Sequence, residues 1–122
     1  MKRCLIIDDS RVIRRVASRI VEDLGFEAEE AENGDVALKA SKIRMPDIVL
    51  VDRDMPVMDG LTFIKELRKL PQGKNVFTVF CTVGNEPADI QEALDAGIDE
   101  YIMKPFDSEI VRSKFQILGI LR

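Results

Sequence analysis

Apolar positions along the chain alternate between two patterns. Short continuous runs stand at residues 3–7 (RCLII), 48–51 (IVLV) and 76–81 (VFTVFC). Runs of this length without polar alternation predict strands buried on both faces. Between them, apolar residues recur every three or four positions, as on one face of a helix. Ile13, Val16, Ile20 and Leu24 mark a first helix over 11–24, which Gly25 stops. A weaker strand follows over 26–31. Asn33 is placed to cap a second helix over 34–44, ended by Pro46. Asp59-Gly60 opens a third helix over 61–70. Pro87 suits the first turn of a fourth, which ends at Gly97. A fifth strand is predicted over 99–103, and Asp107 or Ser108 caps a last helix that runs to the end of the chain at Arg122.

Strand and helix therefore alternate five times, with no linker or repeat. That order predicts an α/β fold: a doubly wound five-stranded parallel sheet with helices on both faces. A chain of 122 residues has room for one such domain. In folds of this kind the ligand site lies beyond the carboxyl ends of the strands, where the strand order reverses.

Composition narrows the chemistry available there. The chain has no histidine, so a Ser-His-Asp triad, a Cys-His pair and a histidine zinc ligand are excluded. Its two cysteines, Cys4 and Cys81, sit in separate apolar runs and read as buried thiols, which fits a cytoplasmic setting. The net charge of −4 argues against a nucleic-acid surface, and no apolar run is long enough for a membrane span or a secretory leader. Carboxylates, lysines and hydroxyls remain.

Those groups gather at the strand ends. Asp8-Asp9 follows the first strand, Asp52 follows the third with Asp54 two residues on, Thr82 follows the fourth, and Lys104 follows the fifth. Helix capping would account for Asp8 or Asp9 alone. It does not account for Asp52, which directly follows a buried run. Clustered acids repel one another unless a cation is present, and a few hard oxygen ligands suit Mg²⁺.

The ordered set Asp8-Asp9, Asp52-Arg53-Asp54-Met55-Pro56, Met58-Asp59-Gly60, Thr82 and Lys104-Pro105-Phe106 resembles the motifs of bacterial two-component response-regulator receiver domains, the single-domain, chemotaxis-regulator-like members among them. Thr82 lies 30 residues after Asp52 and Lys104 lies 22 after Thr82, as in that family. Asn33-Gly34, Gly97 and Tyr101 fit as well. The resemblance covers essentially the whole chain, 1–122, and leaves no output domain. It implies a flavodoxin-like sheet in the order 2-1-3-4-5. It further implies a phosphorelay switch in which Asp52 is the phosphoacceptor. Asp9, Asp52 and the carbonyl of Asp54 would hold Mg²⁺, with Asp8 acting through water. Lys104 would face the phosphoryl group, and Thr82 and Tyr101 would form the switch. Such a protein is not an ordinary enzyme: it catalyses its own phosphotransfer and slow dephosphorylation.

The implied partners are a histidine kinase or histidine phosphotransfer protein as donor, and a protein target on the face of the fourth helix, fifth strand and fifth helix. A monomer or a phosphorylation-dependent dimer is expected. On the last helix, Val111, Phe115 and Leu118 are expected to pack on the sheet, while Ile110, Ile117 and Leu121 form a second apolar strip. The basic residues Arg11, Arg14, Arg15 and Arg19 read as a solvated face of the first helix. Val83, Asp54 and Gly84 depart from the commonest family pattern, and Val83 and Gly84 point to slow self-dephosphorylation. Two rivals stand beside this reading: a haloacid-dehalogenase-type phosphohydrolase using Asp52 and Asp54, and a binding module independent of phosphorylation.

Overall fold

The computed structural model describes residues 1–84 and 86–121. Strands β1 (Arg3–Ile7), β2 (Glu27–Ala31), β3 (Ile48–Asp52), β4 (Phe77–Thr82) and β5 (Glu100–Met103) alternate with helices α1 (Arg11–Asp23), α2 (Gly34–Ile43), α3 (Gly60–Lys69), α4 (Pro87–Ala96) and α5 (Ser108–Leu118). A short 3₁₀ turn, Gly73–Asn75, precedes β4. All five strands are parallel, in the order β2-β1-β3-β4-β5. The order reverses between β1 and β3, which makes their carboxyl ends the expected ligand site.

The continuous apolar runs are explained by cover on both faces. Alternate residues of β1, β3 and β4 point to opposite sides. Leu5, Ile7, Val49, Val51 and Phe80 pack with Phe63, Ile64, Leu67 and Ala93 from α3 and α4. Cys4, Ile6, Ile48, Leu50, Val79 and Cys81 pack with Ala17, Val21, Val111 and Phe115 from α1 and α5. Phe26 meets Phe115 edge to face, with ring centroids 5.2 Å apart. Both cysteines are free and buried, as expected.

Caps set the helix starts. Ser10, Asn33, Asp59 and Asp107 each accept a hydrogen bond from a backbone N–H in the first turn of α1, α2, α3 and α5. Helix α4 begins differently, with Pro87 in its first turn and no side-chain cap from Glu86.

Three expectations are corrected. The residues of α1 that face the sheet are Ala17, Ser18 and Val21, whereas Val16 is 49% exposed. Ile13, Ile20 and Leu24 are half-buried at the margins. Small side chains seat this helix against the sheet, so the larger apolar residues mark its edges. Second, Asp52 and Thr82 are the last residues of their strands, not the first beyond them, because the parallel ladder continues through Asp52–Cys81 and Thr82–Met103. Third, α5 stops at Leu118, where Gly119 takes φ 81° and its N–H closes the last turn on Phe115 and Gln116. Leu121 is therefore off the helix and packs beside the α1–α5 side of the core. The expected end at Arg122 lies outside the described residues.

Candidate functional site

The ends of β1, β3, β4 and β5 converge as the topology requires. Asp8 follows β1 directly and is held in line by its N–H, which donates to the carbonyl of Ala31 at 3.1 Å. Its carbonyl accepts from Arg14 Nη1 at 2.6 Å, so one arginine of the supposed solvated face supports the site. The Asp8 carboxylate is fully engaged. Oδ1 accepts from the Ser10 N–H at 2.9 Å, and Oδ2 accepts from Lys104 Nζ at 2.8 Å.

Asp52 ends the central strand and is only 8% exposed. Lys104 Nζ lies 3.0 Å from its Oδ1. Burial raises the Asp52 pKa above the usual carboxylate range, and the charges of Asp8 and Asp9 push the same way against the Lys104 hydrogen bond. Burial opposes the Lys104 ammonium, but its bonds to Asp8 and Asp52 prevail and its pKa is raised. Beneath them the Cys81 thiol, paired across the ladder with Asp52, is pushed up to about 12 by burial and is inert as a nucleophile.

Ligand oxygens of Asp8, Asp9 and Asp52 all lie within 4.8 Å of one another. The buried carboxylates of Asp8 and Asp52 pair with the one ammonium and the exposed Asp9 completes the group, a local excess of two negative charges. That donor set fits a divalent hard cation. Asp54 is different. Its carboxylate is exposed and lies 4.0 Å from Arg53 Nε, outside the cluster of three. A contribution of Asp54 to a metal would have to come from its carbonyl, as the family resemblance implies.

The loop after β3 is shaped by close backbone approach. The Gly60 N–H donates to the carbonyl of Arg53 at 3.0 Å, and a β-carbon on Gly60 would stand 2.1 Å from the carbonyl oxygen of Asp52. Gly34 donates to Met58 O at 3.1 Å and likewise leaves no room for a side chain. Between them Val57 adopts φ 70°, and Met58 N–H donates to Pro56 O at 2.8 Å. A β-branched residue in a turn of this kind is strained, and the backbone hydrogen bonds of Gly34 to Met58 and of Gly60 to Arg53 hold the loop around it. The Lys104-Pro105 bond is cis.

Thr82 is 3% exposed, and its Oγ1 accepts from the Gly84 N–H at 3.2 Å. Val83 is exposed and lines an apolar groove beside Lys104 with Ile13, Val16, Pro105 and Phe106. Tyr101 is half-buried on β5, and Lys114 Nζ lies 5.1 Å from its ring centroid while pairing with Glu100 at 2.9 Å. Besides the Arg14 bond to Asp8, a second contact at this rim is absent from the sequence pattern. Arg53 Nη1 donates to Asp89 Oδ2 of α4 at 2.9 Å.

Residues 4–116 match the family described as Response regulator receiver domain. The chain belongs to that family. This receiver is 38% identical over 106 residues to the chemotaxis protein CheY of Thermotoga maritima, covering 86% of this chain and 87% of that protein. It is 37% identical over 107 residues to the sensor histidine kinase CheAY of Helicobacter pylori, covering 86% of this chain and 13% of that one. The solved structure of the chemotaxis protein CheY4 of Vibrio cholerae superposes with a TM-score of 0.92 at 32% identity, covering 96% of this chain and 98% of that one. Phosphorylation on aspartate in two-component signalling is the standard function of the family, a phosphoacceptor switch and not a conventional enzyme. Its members generally bind Mg²⁺ at an acidic aspartate cluster, and CheY-like receivers interact with histidine kinases and downstream targets. Membership sets aside the haloacid-dehalogenase reading. Among the described residues no helix is long and apolar enough to cross a membrane.

Proposed function

We propose that Asp52 is the phosphoacceptor of this receiver and that its donor is a phosphohistidine on a partner kinase or phosphotransfer protein. The observation that carries the reading is the single cluster formed by Asp52, Asp8, Asp9 and Lys104 at the sheet's switch point. An Asp52 carboxylate oxygen attacks phosphorus. A P–O bond forms, the P–N bond to the donor imidazole breaks, and its electron pair stays on the imidazole nitrogen. The donor must be external, since this chain has no histidine.

As the family resemblance implies, Asp9 and Asp52, with the carbonyl of Asp54, would hold Mg²⁺, and Asp8, whose oxygens accept from the Ser10 N–H and Lys104, would act through water. When bound, the ion supplies positive charge to the phosphoryl oxygens. Lys104 supplies a second, fixed positive charge. Thr82, whose hydroxyl oxygen accepts from the Gly84 N–H, would move to donate its proton to the new acyl phosphate. Gly84 offers no side chain to hold an attacking water, which supports slow loss of the phosphoryl group. A cytoplasmic site of action is consistent with two unpaired thiols.

Acetyl phosphate with Mg²⁺ should add one phosphoryl group to the protein, and hydroxylamine should remove it, as for any acyl phosphate. Intact-mass measurement reads both steps. Continuous turnover of a small phosphate ester without a labelled protein would overturn the reading.

Output is proposed at the face of α4, β5 and α5. Val111 and Phe115 are fully buried, whereas Ile117 is 65% exposed and Ile110 is exposed about two turns before it on the same face. They do not complete the core. Ile117→Glu should therefore change stability by less than about 0.5 kcal/mol and leave labelling intact. It should remove phosphorylation-dependent self-association or target binding, read by sedimentation. Gross unfolding in a thermal melt would return Ile117 to the core and move the output face elsewhere.

A further inference from the structure

Helix α4 is the least anchored helix of the fold. Ala93 is its single buried residue, and its N-terminus has no side-chain cap. Two arginines hold its ends. At the carboxyl end, Arg68 Nε and Nη2 donate to the carbonyl of Gly97 at 3.1 and 2.6 Å, and Nη2 also reaches Asp99 Oδ2 at 3.1 Å. Arg68 Nη1 meanwhile donates to the carbonyls of Gly73 and Val76, both at 2.7 Å, so that end is fixed to the base of the sheet. At the amino end, among the described residues, the side-chain tie is Arg53 to Asp89 at 2.9 Å.

Arg53 is the residue next to Asp52. Its backbone cannot shift easily: its N–H donates to Cys81 O and its carbonyl accepts from Gly60 N, both at 3.0 Å. Its guanidinium, by contrast, is partly exposed, at the end of a long side chain. It thus has one fixed end beside the phosphoacceptor and one movable end on α4. We infer that the Arg53–Asp89 pair is a charge-operated latch that holds the amino end of α4 and is released by phosphorylation of Asp52.

Such a latch rests on Asp52 being the acceptor. Conversion of its carboxylate to an acyl phosphate adds about one negative charge and three strong acceptor oxygens. That charge attracts Arg53 and repels Asp89, so both halves of the pair are pulled in opposite directions. A partly exposed ion pair is weak enough for one added charge to break it. With the latch open, α4 keeps its Arg68 anchor and is freed at the end nearest the site. Linkage requires the reverse as well: a protein whose latch is already broken binds a phosphoryl mimic more tightly.

Beryllofluoride with Mg²⁺ serves as that mimic, and its dissociation constant is measured by titration for wild type, Asp89→Asn, Arg53→Gln and the double variant. Asp89→Asn frees Arg53 for the mimic and should tighten binding about two- to fivefold, the range of a partly exposed ion pair. The gain should collapse in the Arg53→Gln background, where no guanidinium remains to be freed. Hydrogen exchange in the first turn of α4 should rise in Asp89→Asn without the mimic, and in wild type on adding it. Equal gains in both arginine backgrounds, or none in either, would overturn the latch while leaving Asp52 as the acceptor. Failure of wild type to bind the mimic would overturn the Asp52 reading and the latch with it.

Discussion

Asp52→Asn should take up no phosphoryl group from acetyl phosphate and Mg²⁺, whereas Asp54→Asn should label as wild type does. The two acids are two residues apart and chemically equivalent in isolation, so their difference comes from position. Asp52 ends a buried strand, carries Lys104 at 3.0 Å, and shares a cluster with Asp8 and Asp9. Asp54 lies outside that cluster with an exposed carboxylate. An amide at position 52 keeps the shape of the side chain and removes the nucleophilic oxygen, and loss of a nucleophile costs more than about a thousandfold in rate. At position 54 the backbone carbonyl survives the substitution, so any role of that residue toward a metal survives too. Intact mass after a fixed incubation separates the two outcomes. Labelling of Asp52→Asn at the wild-type rate, or its loss in Asp54→Asn alone, would move the acceptor to Asp54.

The sheet was legible because its signal is local. Runs such as IVLV at 48–51 cannot be half-exposed strands, and their spacing by helical segments leaves a parallel doubly wound sheet as the consistent solution. The strand ends were legible for the same reason: once the topology is known, Asp8, Asp52, Thr82 and Lys104 must meet. What escaped depends on tertiary contact. The core face of α1 is made of Ala17, Ser18 and Val21, small residues whose burial is invisible to a count of large apolar positions. The Arg53–Asp89 pair spans 36 residues and follows from where α4 docks, not from any spacing in the chain. Gly34 and Gly60 could be noted as motif glycines, but the reason for them is that two backbones approach the β3–α3 loop too closely for a β-carbon.

Removing the two charges at opposite poles of the site should move stability in opposite directions. Without divalent metal, Lys104 is the cation paired with Asp8 and Asp52, and Asp9 adds a third carboxylate beside them. Lys104→Met leaves them with no facing cation and should cost about 3–5 kcal/mol, the usual penalty for breaking a buried ion pair from one side. Asp52→Asn removes one of the repelling charges and should stabilise the protein. The pH dependence follows from the same charges. Asp52 has a folded pKa above its ordinary value, so its penalty is fully present above that folded pKa and is relieved as pH falls through it. Stability of the metal-free wild type should therefore rise as pH falls through that folded pKa, and this rise should be absent in Asp52→Asn. Lys104 has the opposite linkage. Its pKa is raised, so its contribution is complete below the ordinary lysine value and is lost as pH climbs through the folded one. Mg²⁺ should stabilise the wild type by about 2.7 kcal/mol at a hundredfold excess over its dissociation constant. The shift should be larger in Lys104→Met, where no ammonium competes for the same oxygens, and small in Asp52→Asn and Asp9→Ala, which lose a carboxylate ligand. Urea melts with Mg²⁺ or with chelator at two pH values measure all of these. A wild type indifferent to Mg²⁺, or a Lys104→Met protein as stable as wild type under chelation, would mean that the acid cluster is not under the electrostatic load its geometry implies.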